Sequence, residues 1–329
     1  MKLNVLYSTD DNYAKYGGVS MLSLFENNKN IDEICVYIID NKISKENKEK
    51  LSEIANVYNR NLVFIDGSDM LRKTEKKDDF PIAAYGRLFI SNLINVDKIL
   101  YLDCDTIING SLKHLWLKNI DDFFVAGVQD NPAKYNVSII GMDDNDRYLN
   151  SGILLINLSL WRKNKLEKKF VEFINKYRGN VPHHDQGIIN GVCKGRILIL
   201  EPEFNLMPPF LHMNRMQIMK LYNIKKYYTQ QQINSAIKDP VIIHFISKFY
   251  NRPWNKECTH PFKKLYEKYL NLSPWNNKLS NSPLDTKVQI RKRVYEKMPF
   301  FIYHLFEKIL DTKRKRFIKR QYKFLNIKF

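Results

Sequence analysis

The sequence predicts an α/β fold built on a mostly parallel sheet, and three observations carry that expectation. Short β-branched and aromatic runs recur: "LNVLY" (3–7), "ICVYII" (34–39), "NLVFI" (61–65), "KILYLD" (98–103), "FFVAGV" (123–128) and "ILLINL" (153–158). Stretches with helical spacing separate the early ones. The apolar runs are continuous, as in strands that alternate with helices in a parallel sheet.

Taken in order, "LNVLY" is the first strand, and "GVSMLSLFEN" after it has helical apolar spacing. "ICVYII" is the second strand. In "SKENKEKLSEIANVYN" the residues Leu51, Ile54, Ala55 and Tyr58 share one helical face. "NLVFI", "KILYLD", "FFVAGV" and "ILLINL" continue the strand series. After about residue 270 the texture changes: "NLSPWNNKLSNSPLDT" (271–286), rich in Asn, Ser and Pro, reads as a linker. The expected organisation is a globular body over 1–270, a linker over 271–286 and a basic, mainly helical extension over 287–329. No solenoid-type repeat is found.

The 329 residues carry a net charge of +18, which points to nucleic acid, an anionic membrane or an anionic substrate. Its distribution narrows the choice. From Asp285 to Phe329 fourteen Lys and Arg face four Asp and Glu, so the body is only mildly basic. Cys35, Cys104, Cys193 and Cys258 form no C-x-x-C pair and no zinc spacing, and read as free thiols in a reducing compartment. The N-terminus turns polar too early for a signal peptide, and no apolar run approaches the ~18 residues of a membrane span. The expectation is a soluble intracellular chain.

The segment "KILYLDCDTIINGSLKHLW" ends a buried run on two aspartates with Cys104 between them. On extended backbone, residues i and i+2 point the same way, so Asp103 and Asp105 can present both carboxylates to one point. Two carboxylates a few ångströms apart share a proton or bind a cation, and hard oxygen ligands suit Mg²⁺ or Mn²⁺. An isolated D-x-D is more often a pair of loop acids; the apolar strand before it and the turn "INGS" after it weigh against that. Asp10, Asp103 and Asp130 all follow apolar strands closely, where α/β sheets bind ligands.

These residues are familiar as a set. "YLDCDTIINGSLKHLW" resembles the metal-binding segment of glycosyltransferase family 8, the retaining sugar-nucleotide transferases. "STDDNYAKYGGVSMLSL" is similar to that family's nucleotide-binding opening, "AAYGRLFISNLI" to its arginine-bearing helix, and "YLNSGILLINLSLWR" to its N-S-G strand. "HHDQGIIN" resembles its D-Q segment and "IIHFISKFYNRPW" its closing signature. The resemblance implies a GT-A fold and transfer of glucose or galactose from a UDP-sugar to a hydroxyl of a glycan such as lipopolysaccharide, with configuration retained.

It also implies residue roles. Asp10, Asn12 and Tyr13 would meet the uridine, and Arg87 the donor sugar or its diphosphate, where a guanidinium fork suits oxygen-rich ligands. Without the family, an i,i+4 surface ion pair is the ordinary account of Arg87 on a helix. His244 would complete the metal site with Asp103 and Asp105; imidazole beside two carboxylates favours Mn²⁺ over Mg²⁺. Asp130, Asn150, Asp185 and Gln186 would hold the donor-sugar hydroxyls, with Cys104 in the same donor segment. The closing signature departs from the family pattern, with Ser247 where a glycine is common and Arg252 where a lysine precedes Pro-Trp. Lys248 and Arg252 therefore compete to clamp the diphosphate, and Arg252 is preferred because it directly precedes Pro253-Trp254. Gln186, a poor nucleophile, favours front-face attack; Asp185 is the candidate for a covalent route. "HHD" as a second metal site is disfavoured, since loop neighbours rarely point the same way.

Two other classes compete. A nucleic-acid-binding protein explains the basic tail, but the body carries acidic clusters where phosphates would dock; no nucleic acid is expected. A nucleotidyltransferase also uses paired aspartates, yet lacks the N-S-G and D-Q segments. In the tail, Phe301, Ile302, Leu305, Phe306, Ile309 and Leu310 share a broad helical face ahead of "KRKRFIKRQYKF". Apolar anchors beside clustered cations predict peripheral binding to an anionic membrane, here the inner face of a bacterial cytoplasmic membrane. A helix pair packed on the body with a solvated charged face is the competing account.

Overall fold

A computed structural model describes residues 1–67, 82–276, 279–281 and 285–327. Residues 277–278 and 282–284 of the expected linker, and 328–329 of the tail, lie outside the described residues. The strands are β1 (Lys2–Asp10), β2 (Glu33–Asn41), β3 (Asn61–Asp66), β4 (Lys98–Leu102), β5 (Thr106–Ile108), β6 (Val125–Gln129), β7 (Leu149–Asn157), β8 (Ile197–Leu200) and β9 (Ile242–His244). The main sheet runs β3-β2-β1-β4-β7-β6-β8, and β5 pairs separately with β9. Within the main sheet pairing is parallel except at β7, which lies antiparallel to both β4 and β6; β5 and β9 are antiparallel. The mostly parallel sheet is therefore observed, with one reversed strand that composition does not announce.

Helices cover both faces, so the strands can be apolar throughout. On one face Leu3, Val5 and Leu100 pack with Phe25 and Leu24 of helix Asp11–Glu26 and with Tyr266 and Tyr269 of helix Lys263–Leu272. On the other, Leu6, Ile99 and Tyr101 pack with Trp161, Phe170 and Ile174 from the helices at 158–176. All nine residues of β7 are buried. Its reversal positions the site. The antiparallel register sets Leu102 opposite Ile153, and the Asp103 N–H donates to the Gly152 carbonyl at 2.7 Å. "LDCD" thus leaves β4 beside "NSG" entering β7. The β5–β9 ribbon does the same for the histidine, pairing Thr106 with His244 and the Phe245 N–H with the Asp105 carbonyl at 2.9 Å.

The described part of the Asn/Ser/Pro-rich segment lies against the body. The Trp275 indole donates to Asn47 Oδ1 at 2.9 Å and lies over Gly18, where an added Cβ would stand 2.3 Å from the ring. Beyond it, helix Thr286–Lys297 is capped by Asp285 and helix Phe300–Phe324 follows Pro299. The second helix reaches both cores: Tyr303 joins the first, and Tyr322 joins the second, its hydroxyl donating to the Asn180 carbonyl at 2.5 Å. Phe301, Leu305 and Ile309 face outward instead. Among the described residues no helix is long and apolar enough to cross a membrane.

Candidate active site

A cavity of about 300 Å³ opens at the carboxyl ends of β1 and β4, lined by Asp10, Tyr13, Arg87, Asp103, Cys104, Asp105, Asp185 and Arg252 among others. Asp10 ends β1 and caps the following helix, its carboxylate accepting from the Tyr13 N–H at 3.0 Å. Tyr13 is half exposed and meets Tyr16 and Trp254 edge-on at 5.4 and 6.2 Å, while Tyr16 and Trp254 stack at 3.8 Å. Of this aromatic group Tyr13 lines the cavity. Asn12 is exposed on the same helix and does not line it.

Arg87 follows helix Ile82–Gly86 in a turn, and the surface-pair account of it does not hold. It is buried, 4% exposed. Its guanidinium donates to Asp103 Oδ1 at 2.9 Å and to the Ser151 carbonyl at 2.6 Å, and stands 3.4 Å from Asp185 Oδ2. It also covers the Tyr101 ring at 4.0 Å, while the Tyr101 hydroxyl donates to Asp103 Oδ1 at 2.7 Å. Burial works against the Arg87 charge, but Asp103 and Asp185 outweigh it and raise its pKa further. Burial lifts the Asp103 carboxyl above the usual range, opposed by Arg87. The Cys104 thiol is pushed up to about 12 by burial, so it offers no thiolate near neutrality.

Asp103, Asp105 and His244 bring one ligand atom each within 4.8 Å of one another. His244 Nδ1 lies 3.1 Å from Asn205 Oδ1, and Asn205 Nδ2 donates to Asn150 Oδ1 at 2.9 Å. With its amide hydrogens directed to Asn150, Asn205 accepts a hydrogen bond from Nδ1–H, which leaves the lone pair on Nε2. Among the described residues Nε2 is buried without an aligned hydrogen bond, 3.2 Å from Asp105 Oδ1 and 3.7 Å from Asp103 Oδ2. An orphaned imidazole nitrogen facing two carboxylates fits a divalent cation. Arg252 pairs with the other oxygen of Asp105 and donates to the Phe245 carbonyl at 2.6 Å. Burial opposes the Asp105 charge, yet Arg252 and His244 hold its carboxyl below the ordinary range. Gly152 is obligatory here: a Cβ would lie 2.2 Å from His244 Cε1 and 2.7 Å from Asp103 Oδ2.

Asp130, Asn150 and Gln186 form a hydrogen-bonded cluster behind this wall rather than lining the cavity. Gln186 Nε2 donates to Asp130 Oδ2 at 2.9 Å, and its Oε1 accepts from Asn150 Nδ2 and the Ser151 N–H, both at 3.1 Å. Asp185 Oδ2 accepts from the Ser151 hydroxyl at 2.8 Å. The "HHD" turn holds His183 and His184 at φ 58° and 50°, left-handed conformations that cost of order 1–3 kcal/mol each. They aim Asp185 and Gln186 inward. Lys248 donates to the Tyr222 hydroxyl and lies outside the cavity, its pKa lowered to about 8 by burial.

Sequence reasoning missed Tyr101, Ser151 and Asn205. Tyr101 stands two residues before Asp103 on extended backbone, and that spacing was available to it. Ser151 sits inside N-S-G. Asn205 has no local signal; the turn Pro202–Asn205 reaches His244 only through the fold. Asn205→Leu should weaken divalent-metal affinity about 10–100-fold, as loss of an orienting partner does elsewhere. Metal titration of the variant by calorimetry checks this, and unchanged affinity would remove Asn205 from the role.

A family model for "Glycosyl transferase family 8" matches residues 4–258. The chain belongs to that family. A putative glycosyltransferase of Haemophilus influenzae is 30% identical over 312 residues, covering 89% of this chain and 88% of its own length. A lipopolysaccharide 1,2-glucosyltransferase of Escherichia coli is 28% identical over 286 residues, covering 83% of this chain and 79% of its own. Among solved structures, galactosyltransferase LgtC in complex with donor and acceptor sugar analogues superposes with a TM-score of 0.68 at 24% identity, over 83% of this chain and 96% of LgtC. The α/β architecture is therefore the LgtC-like GT-A fold. The family 8 match ends before the C-terminal helices, so the strand-borne site lies inside it and helices 286–297 and 300–324 lie outside.

Proposed function

We propose that this family 8 glycosyltransferase moves a glucosyl or galactosyl group from a UDP-sugar to a hydroxyl of a cell-surface glycan, with retention and with a divalent metal, Mn²⁺ before Mg²⁺. The observation that carries the reading is the buried His244 Nε2 facing Asp103 and Asp105 beside a cavity that a half-exposed tyrosine, Tyr13, also lines. The metal would be held by these three residues and supply Lewis-acid neutralisation of the diphosphate. Tyr13 offers its ring to the uracil, with Asp10 and Asn12 at the same helix start. Arg252, which lines the cavity, is the diphosphate clamp, while Lys248 points to Tyr222. Arg87 and Asp185 bind the donor hexose hydroxyls, backed by Asn150 and Asp130.

Asp185 already accepts from Ser151 and pairs with Arg87, which makes it a poor nucleophile. Gln186 uses both ends of its amide internally and, from behind the cavity, holds Asn150 and the Ser151 backbone in place. The leaving phosphate oxygen then takes the acceptor proton as the hydroxyl attacks the same face. A scan of UDP-, GDP- and CMP-sugars for slow nucleotide release without acceptor tests the donor. Release of UDP from UDP-glucose or UDP-galactose is expected; use of only a GDP- or CMP-sugar overturns the roles of Asp10, Asn12 and Tyr13.

We also propose that the C-terminal tail docks on an anionic bilayer. Phe301 (66% exposed), Leu305 (59%) and Ile309 (50%) stand outward on helix 300–324 among Lys and Arg, which supports peripheral binding at an anionic bilayer, worth about 1 kcal/mol per nearby cation. Because Tyr303 and Tyr322 belong to the cores, the full chain is the proper test object. Phe301→Ser with Leu305→Ser should lower sedimentation with phosphatidylglycerol vesicles about tenfold and leave UDP release unchanged. Equal sedimentation refutes the tail's role.

A further inference from the structure

The second helix of the tail does more than present an outward face. Its inner side reaches Lys248. Lys248, hydrogen-bonded to Tyr222, interacts electrostatically with Asp130 on one side and with Glu307 and Asp311 of the tail helix on the other. One turn further on, the helix and the "HHD" turn enclose a second cavity of about 520 Å³, walled by Tyr135, His183, His184, Lys313, Arg314 and Phe317. His184 immediately precedes Asp185 of the donor cavity, so the two cavities are neighbours.

The chemistry of this second cavity is opposite to that of the first. Four aspartates line the donor cavity, whereas among the described residues no acidic side chain lines this one. Arg314 is oriented by Asp311 at 3.0 Å and Glu307 at 3.8 Å, both on its own helix. Lys313 makes no ion pair or hydrogen bond among the described residues. His183 is held by Asn136 Nδ2 at 2.9 Å from Nε2. Tyr135 and the largely exposed Phe317 add aromatic faces, on which the C–H face of a sugar ring packs. A guanidinium, an ammonium and two imidazoles around an open volume suit a phosphate monoester, and the volume lies in the range of small-ligand pockets.

We propose that this cavity is an acceptor subsite for a sugar bearing a phosphate monoester, formed jointly by the family 8 body and the C-terminal helix outside the family match. The inference rests on the glycosyltransferase reading for the word acceptor. Occupied, it places an anionic unit beside His184, and the neighbouring hydroxyl-bearing unit toward Asp185.

The test uses full-length protein labelled with ¹⁵N-histidine, with UDP and Mg²⁺ in excess to fill the donor cavity. Titration with glucose 6-phosphate should shift the His183 and His184 resonances and leave His244 unmoved. Lys313→Glu and, separately, Phe317→Ser should raise the dissociation constant at least about tenfold. Glucose should not bind, and inorganic phosphate should bind about tenfold more weakly. Unmoved His183 and His184 signals, or unchanged affinity in Lys313→Glu, overturn the subsite. Equal affinity for inorganic phosphate and glucose 6-phosphate reduces it to an ion site and overturns the acceptor assignment. UDP release from UDP-hexose, measured on UDP-free preparations of the same proteins, separates the two readings: Lys313→Glu retains it, and a wild-type protein that releases no UDP defeats the donor reading alone.

Discussion

Asp105→Ala, and equally His244→Ala, should abolish UDP-hexose turnover while the protein stays folded. Asp105 supplies one oxygen toward His244 Nε2 and the other to Arg252, so its removal breaks both the metal site and the positioning of the clamp. Loss of metal-borne charge stabilisation amounts to several kcal/mol. About 4 kcal/mol corresponds to roughly a 10³-fold drop in rate. The fold should survive, because Asp105 sits at the cavity and its β5 neighbours Ile107 and Ile108 keep their packing. UDP release measured beside circular dichroism reads both quantities. EDTA should reproduce the loss in wild type and Mn²⁺ should restore it. Full activity in EDTA, or in Asp105→Ala, would falsify the metal assignment.

The second large effect is on stability. Arg87→Ala should cost about 3–5 kcal/mol, the range for removing one partner of a buried ion pair and leaving the other unpaired. Asp103 and Asp185 both depend on this guanidinium, and the Ser151 and Ala84 carbonyls accept from it at 2.6 and 3.1 Å. Arg87→Lys should recover only part of the loss, since one ammonium cannot reproduce a fork spanning two carboxylates. Arg87→Met combined with Asp185→Asn should be less destabilised than the sum of the single changes, because the second removes a carboxylate that the first leaves uncompensated. Urea unfolding of the wild type and of each of these variants measures this. A loss under about 1 kcal/mol for Arg87→Ala would place the guanidinium outside the stability of the fold.

How much of this was legible beforehand differs by residue. The α/β class was readable because sheet strands covered on both faces must be apolar throughout, and a local run such as "KILYL" records that directly. Asp103 and Asp105 were readable as a pair because extended backbone alternates its side chains over two residues. The short strands β5, β8 and β9 were not called, since three or four residues leave no period to detect. Arg87 was placed on a helix; it stands just after one, buried against two acids, and local spacing carries no information about burial.

The tail divides in the same way. Its apolar and cationic pattern was readable, and Phe301, Leu305 and Ile309 do share a face. That this face points outward, while Tyr303 and Tyr322 anchor the helix inward, depended on which surface the body offered. The sequence by itself determined the six longer strands, the D-x-D, N-S-G and D-Q segments and the concentration of charge after residue 285, all properties of residue order. Only the tertiary structure decided that β7 runs backwards beside β4, that Asn205 orients His244, and that Gln186 is locked behind the cavity rather than lining it. Each of those depends on contacts between residues tens of positions apart, and no local period encodes which distant partner a side chain will meet.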